Sequence, residues 1–153
     1  MGERGFTMVE LVAVMVLVSV LSVVAIPRLF DTEIFSHRGF EDTLIGDIRF
    51  AQKLARYSGC TTRVETTAAN YTVSQLANCT SGARTSLSRT GSSVDPINEA
   101  TPDGLTLSAA NIYFDSQGRL VNSGGALLTN YQDISVGAKT LRVEAQTGYV
   151  HWP

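Results

Sequence analysis

Apolar and polar positions follow three different rhythms along this chain. From Leu11 to Ile26 sixteen residues carry no charge, and counting back to Phe6 gives twenty-one with one charge, Glu10. At about 1.5 Å of rise per residue, such a helix is roughly 30 Å long, the hydrocarbon thickness of a bilayer. The run is long enough to span a membrane. An unpaired ionised side chain among lipid tails costs at least about 2.5 kcal/mol, so Glu10 calls for a partner. Pro27 follows the run; a proline inside a membrane helix kinks it without necessarily ending it.

The second rhythm is helical. Phe40, Leu44, Ile48, Ala51 and Ala55 recur at spacings of three and four, and Leu54 widens the stripe. Glu41, Asp42, Asp47, Arg49, Lys53 and Arg56 fill the rest of the circumference. The pattern predicts an amphipathic helix over about 40–58 that lies on something, with Gly59 as its stop. Gly39 and Gly46 weaken it locally.

After Gly59 the texture becomes strand-like. Thr61 to Thr67 and Tyr71 to Leu76 are rich in Thr, Val and Tyr, and Ala68-Ala69-Asn70 between them reads as a turn. A two-residue turn at Ala69-Asn70 pairs residues whose numbers sum to 139, which sets Cys60 opposite Cys79. Opposed Cα atoms in such a pair are about 4.5–5.5 Å apart, within reach of a disulfide.

The segment 80–104 is rich in Ser, Thr, Gly and Pro and reads as a surface excursion, with a short strand near Ser86 to Arg89. Ile112-Tyr113-Phe114, Asp115-Ser116-Gln117-Gly118 and Arg119-Leu120-Val121 read as a hairpin. Ile134 to Val136, Leu141 to Ala145 and Tyr149 to Trp152 add strands, the last two joined at Gln146-Thr147-Gly148, with Trp152 on the sheet edge. The expected class is α+β: a long N-terminal helix packed on a C-terminal antiparallel meander whose apolar face covers the amphipathic stripe.

Composition narrows the function. The net charge is -2 and charged residues make up only 17% of the chain, so no basic excess argues for nucleic acid. His37 and His151 stand far apart, and no G-x-S-x-G, phosphate loop, H-E-x-x-H or paired CxxC occurs. Asp115-Ser116-Gln117 lacks the Gly and Glu of a calcium loop and reads as a turn. Nothing supports an enzyme, a metal site or a cofactor. A secretory signal peptide would carry a basic n-region and a small-residue cleavage site, whereas Glu3 offsets Arg4 and no A-x-A-like site follows Ala25. An ordinary anchor accounts for the length of the run but not for Glu10.

The run Gly5-Phe6-Thr7-Met8-Val9-Glu10-Leu11, with its apolar tail and Pro27, resembles the N-terminus of type IV pilins and type II secretion pseudopilins. The resemblance implies a leader of residues 1–5, cleavage between Gly5 and Phe6 by a prepilin peptidase, and methylation of the new terminus at Phe6. It implies that Glu10 pairs with the N-terminal amine of a neighbouring subunit. It divides the chain into the leader, an N-terminal helix over 6–59 with a membrane-spanning part at 6–27, and a β-rich head over 60–153. Implied partners are other pilin subunits, the prepilin peptidase, an inner-membrane assembly platform and, before assembly, inner-membrane lipid. The head would lie in the periplasm before entering a pilus or pseudopilus filament.

Arg49 to Ala55 and Tyr57-Ser58-Gly59-Cys60 are similar to the helix of minor pilins of the H-class pseudopilin type and of mannose-sensitive haemagglutinin pili, and the FDSQGR segment resembles the strand-turn-strand of H-class pseudopilins. A minor pilus subunit is the reading this favours, with an H-class pseudopilin of a type II secretion system as the alternative. Relatives of this class that take part in DNA uptake make a DNA-binding or adhesive tip subunit the third, with Arg84 and Arg89 as its DNA contact. An exported location agrees with a Cys60–Cys79 disulfide; two unpaired buried thiols are the alternative.

Overall fold

The structure is a computed structural model that describes residues 7–29, 32–79, 82–89 and 95–153, with the backbone alone for 23–29 and 32. It forms two units, one ending at Ser36 and one running from His37 to Pro153.

In the first unit, helix α1 (Met8–Leu29) opens on Thr7. The Thr7 Oγ1 accepts the Glu10 N–H at 3.3 Å, and the Thr7 carbonyl accepts the Leu11 N–H at 3.2 Å. A hydroxyl there satisfies one of the amides that every helix start leaves bare. Helix α2 (Thr32–Ser58) ends at Gly59, whose φ of 71° is the left-handed conformation that glycine adopts without strain.

The second unit holds two antiparallel sheets. The first comprises β1 (Thr62–Thr66), β2 (Asn70–Leu76), β3 (Arg84–Ser86), β4 (Asn98–Ala100), β5 (Ala110–Phe114) and β6 (Leu120–Val121), in the order β3-β2-β1-β5-β6, with β4 also on β2. The second is β7 (Gln132–Val136), β8 (Lys139–Val143) and β9 (Val150–His151) in chain order. The expected single meander is thus two sheets, and only the second is a simple one. In the first, β5 returns to the free edge of β1, which leaves the excursion to pair with the other edge of β2 through β3 and β4. The expected short strand of that excursion lies at Arg84–Ser86, ahead of its expected place, and a second, unexpected one at Asn98–Ala100.

The helical stripe performs as its spacing predicts. Leu44, Ile48, Ala51 and Ala55 are fully buried and Phe40 nearly so. They meet Val64, Val73, Ile112 and Phe114 of the first sheet and Ile134, Leu141, Val143 and Val150 of the second. Each fully buried Val, Leu, Ile or Phe side chain is worth roughly 1.5–3 kcal/mol, so this shared core holds both sheets on one helix. Trp152 packs partly buried against it, with the Lys139 ammonium 5.5 Å from its ring centre.

A polar seam complements the core. Gln52 Nε2 donates to the Gly118 carbonyl at 2.9 Å and to the Thr147 carbonyl at 2.6 Å, and Arg56 Nε donates to the Gln117 carbonyl at 2.9 Å. One helix face therefore ties a turn of each sheet. Gly148, with φ 64°, lies so close that a Cβ there would collide with the Gly118 carbonyl and the Gln52 amide.

The β1–β2 register differs from expectation. Thr62 pairs with Gln75 and Thr66 with Tyr71, which centres the turn on Ala68-Ala69. Thr67 decides this: its N–H donates to the Asn70 carbonyl at 2.8 Å, and its hydroxyl accepts the Asn70 N–H at 3.1 Å. Extended to the strand ends, that ladder would set Cys60 opposite Ala77. Cys79 nevertheless reaches Cys60, because the chain curls after β2: the Cys79 N–H returns to the Leu76 carbonyl at 3.1 Å with φ 62°. The two cysteines form a disulfide with Cα atoms 4.6 Å apart.

Candidate assembly site

The described side chains of α1 run from Met8 to Ser22. Each large apolar one among them is about half exposed or more, from Val14 at 49% to Met8 at 86%. A helix apolar on every face has nothing to bury itself against within its own unit. Among the described residues no helix is long and apolar enough to cross a membrane. The expected cleavage site between Gly5 and Phe6 lies outside the described residues, and so does the side chain of Pro27, whose backbone continues the helix.

Glu10 sits in the first turn of α1, where a carboxylate favours the exposed amides and positive dipole end. Its side chain is exposed and has no ion-pair partner among the described residues. Thr7 and Glu10 thus share a helix start at the spacing of a capping box, with the backbone half of that motif in place. The geometry leaves the carboxylate available to a cation from outside this segment.

In the head, Arg84 and Arg89 do not come together. Arg89 lies on the helix side of the first sheet, where its Nε and Nη2 donate to Asp47 at 2.8 and 2.6 Å and Nη2 also donates to Glu99 at 2.8 Å. The Asp47 hydrogen bonds, above all other causes, raise its pKa further. Arg84 lies on the opposite face, its guanidinium carbon 5.4 Å from the Tyr113 ring centre. The two guanidiniums expected to share a contact thus have separate sets of neighbours.

Sequence reasoning missed the network around Asp47. This carboxylate is 3% exposed and also accepts the Tyr71 hydroxyl at 2.7 Å. Burial first, and the Asp47 hydrogen bond second, hold the Tyr71 phenol far above its usual pKa, so it stays neutral and donates. Glu41, likewise read as solvent-facing, is buried and takes the Lys139 ammonium at 2.6 Å. The only hint in the sequence was the placement of both carboxylates beside the apolar stripe.

Comparison with known proteins bears on the N-terminal unit. Residues 1–26 match the family model of the prokaryotic N-terminal methylation motif. No curated protein and no solved structure matches the chain. The motif supports a membrane-anchored subunit of the type IV pilin or pseudopilin kind, with prepilin cleavage and a methylated N-terminus, and it indicates a structural subunit. The α+β architecture, a helix packed on antiparallel sheets, is consistent with a pilin fold.

Proposed function

We propose that the protein is a minor subunit of a type IV pilus of the mannose-sensitive haemagglutinin kind. Residues 1–5 are its leader, cleavage falls between Gly5 and Phe6, and Phe6 is methylated. The methylation motif at 1–26, on a helix whose described apolar side chains are exposed all round, supports the pilin-type subunit, and the minor, haemagglutinin-like assignment rests on the likeness of Arg49 to Ala55 and Tyr57-Ser58-Gly59-Cys60. Such a surface is covered either by lipid or by like helices, and a filament core provides the second once the subunit leaves the first.

Assembly rather than catalysis is the mechanism. Residues 6–30 pack against the same segment of neighbouring subunits. Glu10 meets the N-terminal amine of an adjacent subunit and offsets the cost of carrying a carboxylate into an apolar environment. Platform and peptidase act before that, while the helix rests in the inner membrane and the head lies in the periplasm.

The Glu10→Ala variant tests this. It is expected to keep a folded, membrane-bound head and to be depleted from filaments, read by immunoblotting the sheared fraction against the cell fraction. Wild-type abundance in the sheared fraction would overturn the role of Glu10.

A further inference from the structure

Alternation along β1 buries Thr62, Val64 and Thr66 and turns Arg63 and Glu65 to the outer face of the first sheet. Register then builds a row on that face. Arg63 lies opposite Ser74 on β2 and Tyr113 on β5, and Ser74 lies opposite Ser86 on β3. Arg84 is two residues from Ser86 and shares its face. To stand 5.4 Å from the Tyr113 ring centre, its side chain crosses β2 and β1 and passes over this row.

The result is a sheet face with unmade hydrogen bonds. Ser74 is 6% exposed although it points away from the core, and its hydroxyl has no hydrogen-bond partner among the described residues. Arg63 Nε and Arg84 Nη1 are buried and likewise have no partner among the described residues. Arg63 spends Nη2 on Glu65, so these three charged groups sum to one positive charge. Folded proteins satisfy nearly all such groups, and here two guanidiniums that feel one another's charge have one carboxylate between them. Burial, and after it the Arg63 charge, depress the Arg84 pKa, which is the penalty of this arrangement.

We propose that this outer face binds a phosphate-class oxyanion between Arg63 and Arg84, with the Ser74 hydroxyl as a third donor. Guanidinium forks match tetrahedral oxyanions in geometry, and the cation–π contact with Tyr113 helps to hold one fork over this face. An oxyanion takes both orphaned N–H groups and removes the like-charge conflict in one step. The Ser74 hydroxyl, which no described residue uses, then donates to the ligand. The site is independent of the assembly reading, since it lies wholly on the head.

The test is equilibrium dialysis of the full chain in detergent micelles with labelled inorganic phosphate at low ionic strength. Saturable one-to-one binding is expected. Arg84→Gln should weaken it at least about tenfold, because a charge-assisted hydrogen bond is lost. Arg84→Lys, which keeps the charge but not the fork, should fall between. Lys53→Gln removes the same charge from the exposed side of α2 and should change nothing. Ser74→Ala should weaken phosphate binding yet raise the melting temperature of the phosphate-free protein, since it deletes a buried orphan. An oligothymidine that competes with phosphate assigns the anion to a phosphodiester, and phosphate binding that the oligomer leaves undisturbed assigns it to free phosphate. No saturable binding, or equal weakening by Lys53→Gln, overturns the site.

Discussion

Replacing Asp47 tests whether the polar network under the excursion is a coupled unit. Asp47 accepts three hydrogen bonds, one from Tyr71 and two from Arg89. Asp47→Ala strands the Tyr71 hydroxyl in a fully buried position, at a cost of about 1–3 kcal/mol. Arg89 is 43% exposed and keeps Glu99, so its share is discounted to about 1 kcal/mol. The total is about 3 kcal/mol, which in a domain of this size lowers the melting temperature by roughly 10 °C.

Tyr71→Phe alone should cost about 1 kcal/mol for its lost hydrogen bond. Made on top of Asp47→Ala, it should cost nothing or restore stability, because it deletes the orphan that the first change created. A double-mutant cycle by chemical denaturation should therefore show a coupling of about 2 kcal/mol. Additive costs, within about 0.5 kcal/mol, would refute the claim that the two groups depend on one another.

Two other substitutions probe the head. Gly148→Ala forces a side chain into the left-handed region and against the Gln52 bridge, so a loss of roughly 3 kcal/mol is expected, read by thermal denaturation. Burial alone would raise the Asp115 carboxyl, but hydrogen bonds from Arg119 and from the Gln117 amide outweigh it and hold the group below the usual aspartate range. A depressed carboxyl contributes stability above its unfolded pKa of about 4 and loses it as pH falls through the folded value. The melting temperature of the wild type should therefore drop more steeply below pH 4 than that of Asp115→Asn.

What could be read from the chain beforehand was whatever depends on neighbours in sequence. The spacing of Phe40, Leu44, Ile48, Ala51 and Ala55 fixes a helix face without reference to its partner, and all five are buried. Asp115-Ser116-Gln117-Gly118 forms its turn because the Asp115 carboxylate caps amides two and four residues on. The methylation motif is likewise one continuous stretch.

The readings that failed depend on distant residues or on a single side-chain bond. The β1–β2 turn slipped by one residue because the Thr67 hydroxyl captures Asn70, and strand propensity says nothing of that. The cysteines meet all the same, since a left-handed residue at Cys79 folds the end of β2 back. Asp47, Tyr71 and Arg89 are brought together only by packing helix against sheet, and Arg63 joins Arg84 only through the order of the strands. Such constellations are set by register, which composition and periodicity leave open.

The central claim, that this chain is processed and built into a filament through its N-terminus, is met most directly by mass spectrometry of the protein isolated from the sheared filament fraction. The account predicts a mature chain that begins at Phe6 and carries one methyl group on its α-amine. A chain that retains residues 1–5, or one cut within or after the apolar run, would contradict it.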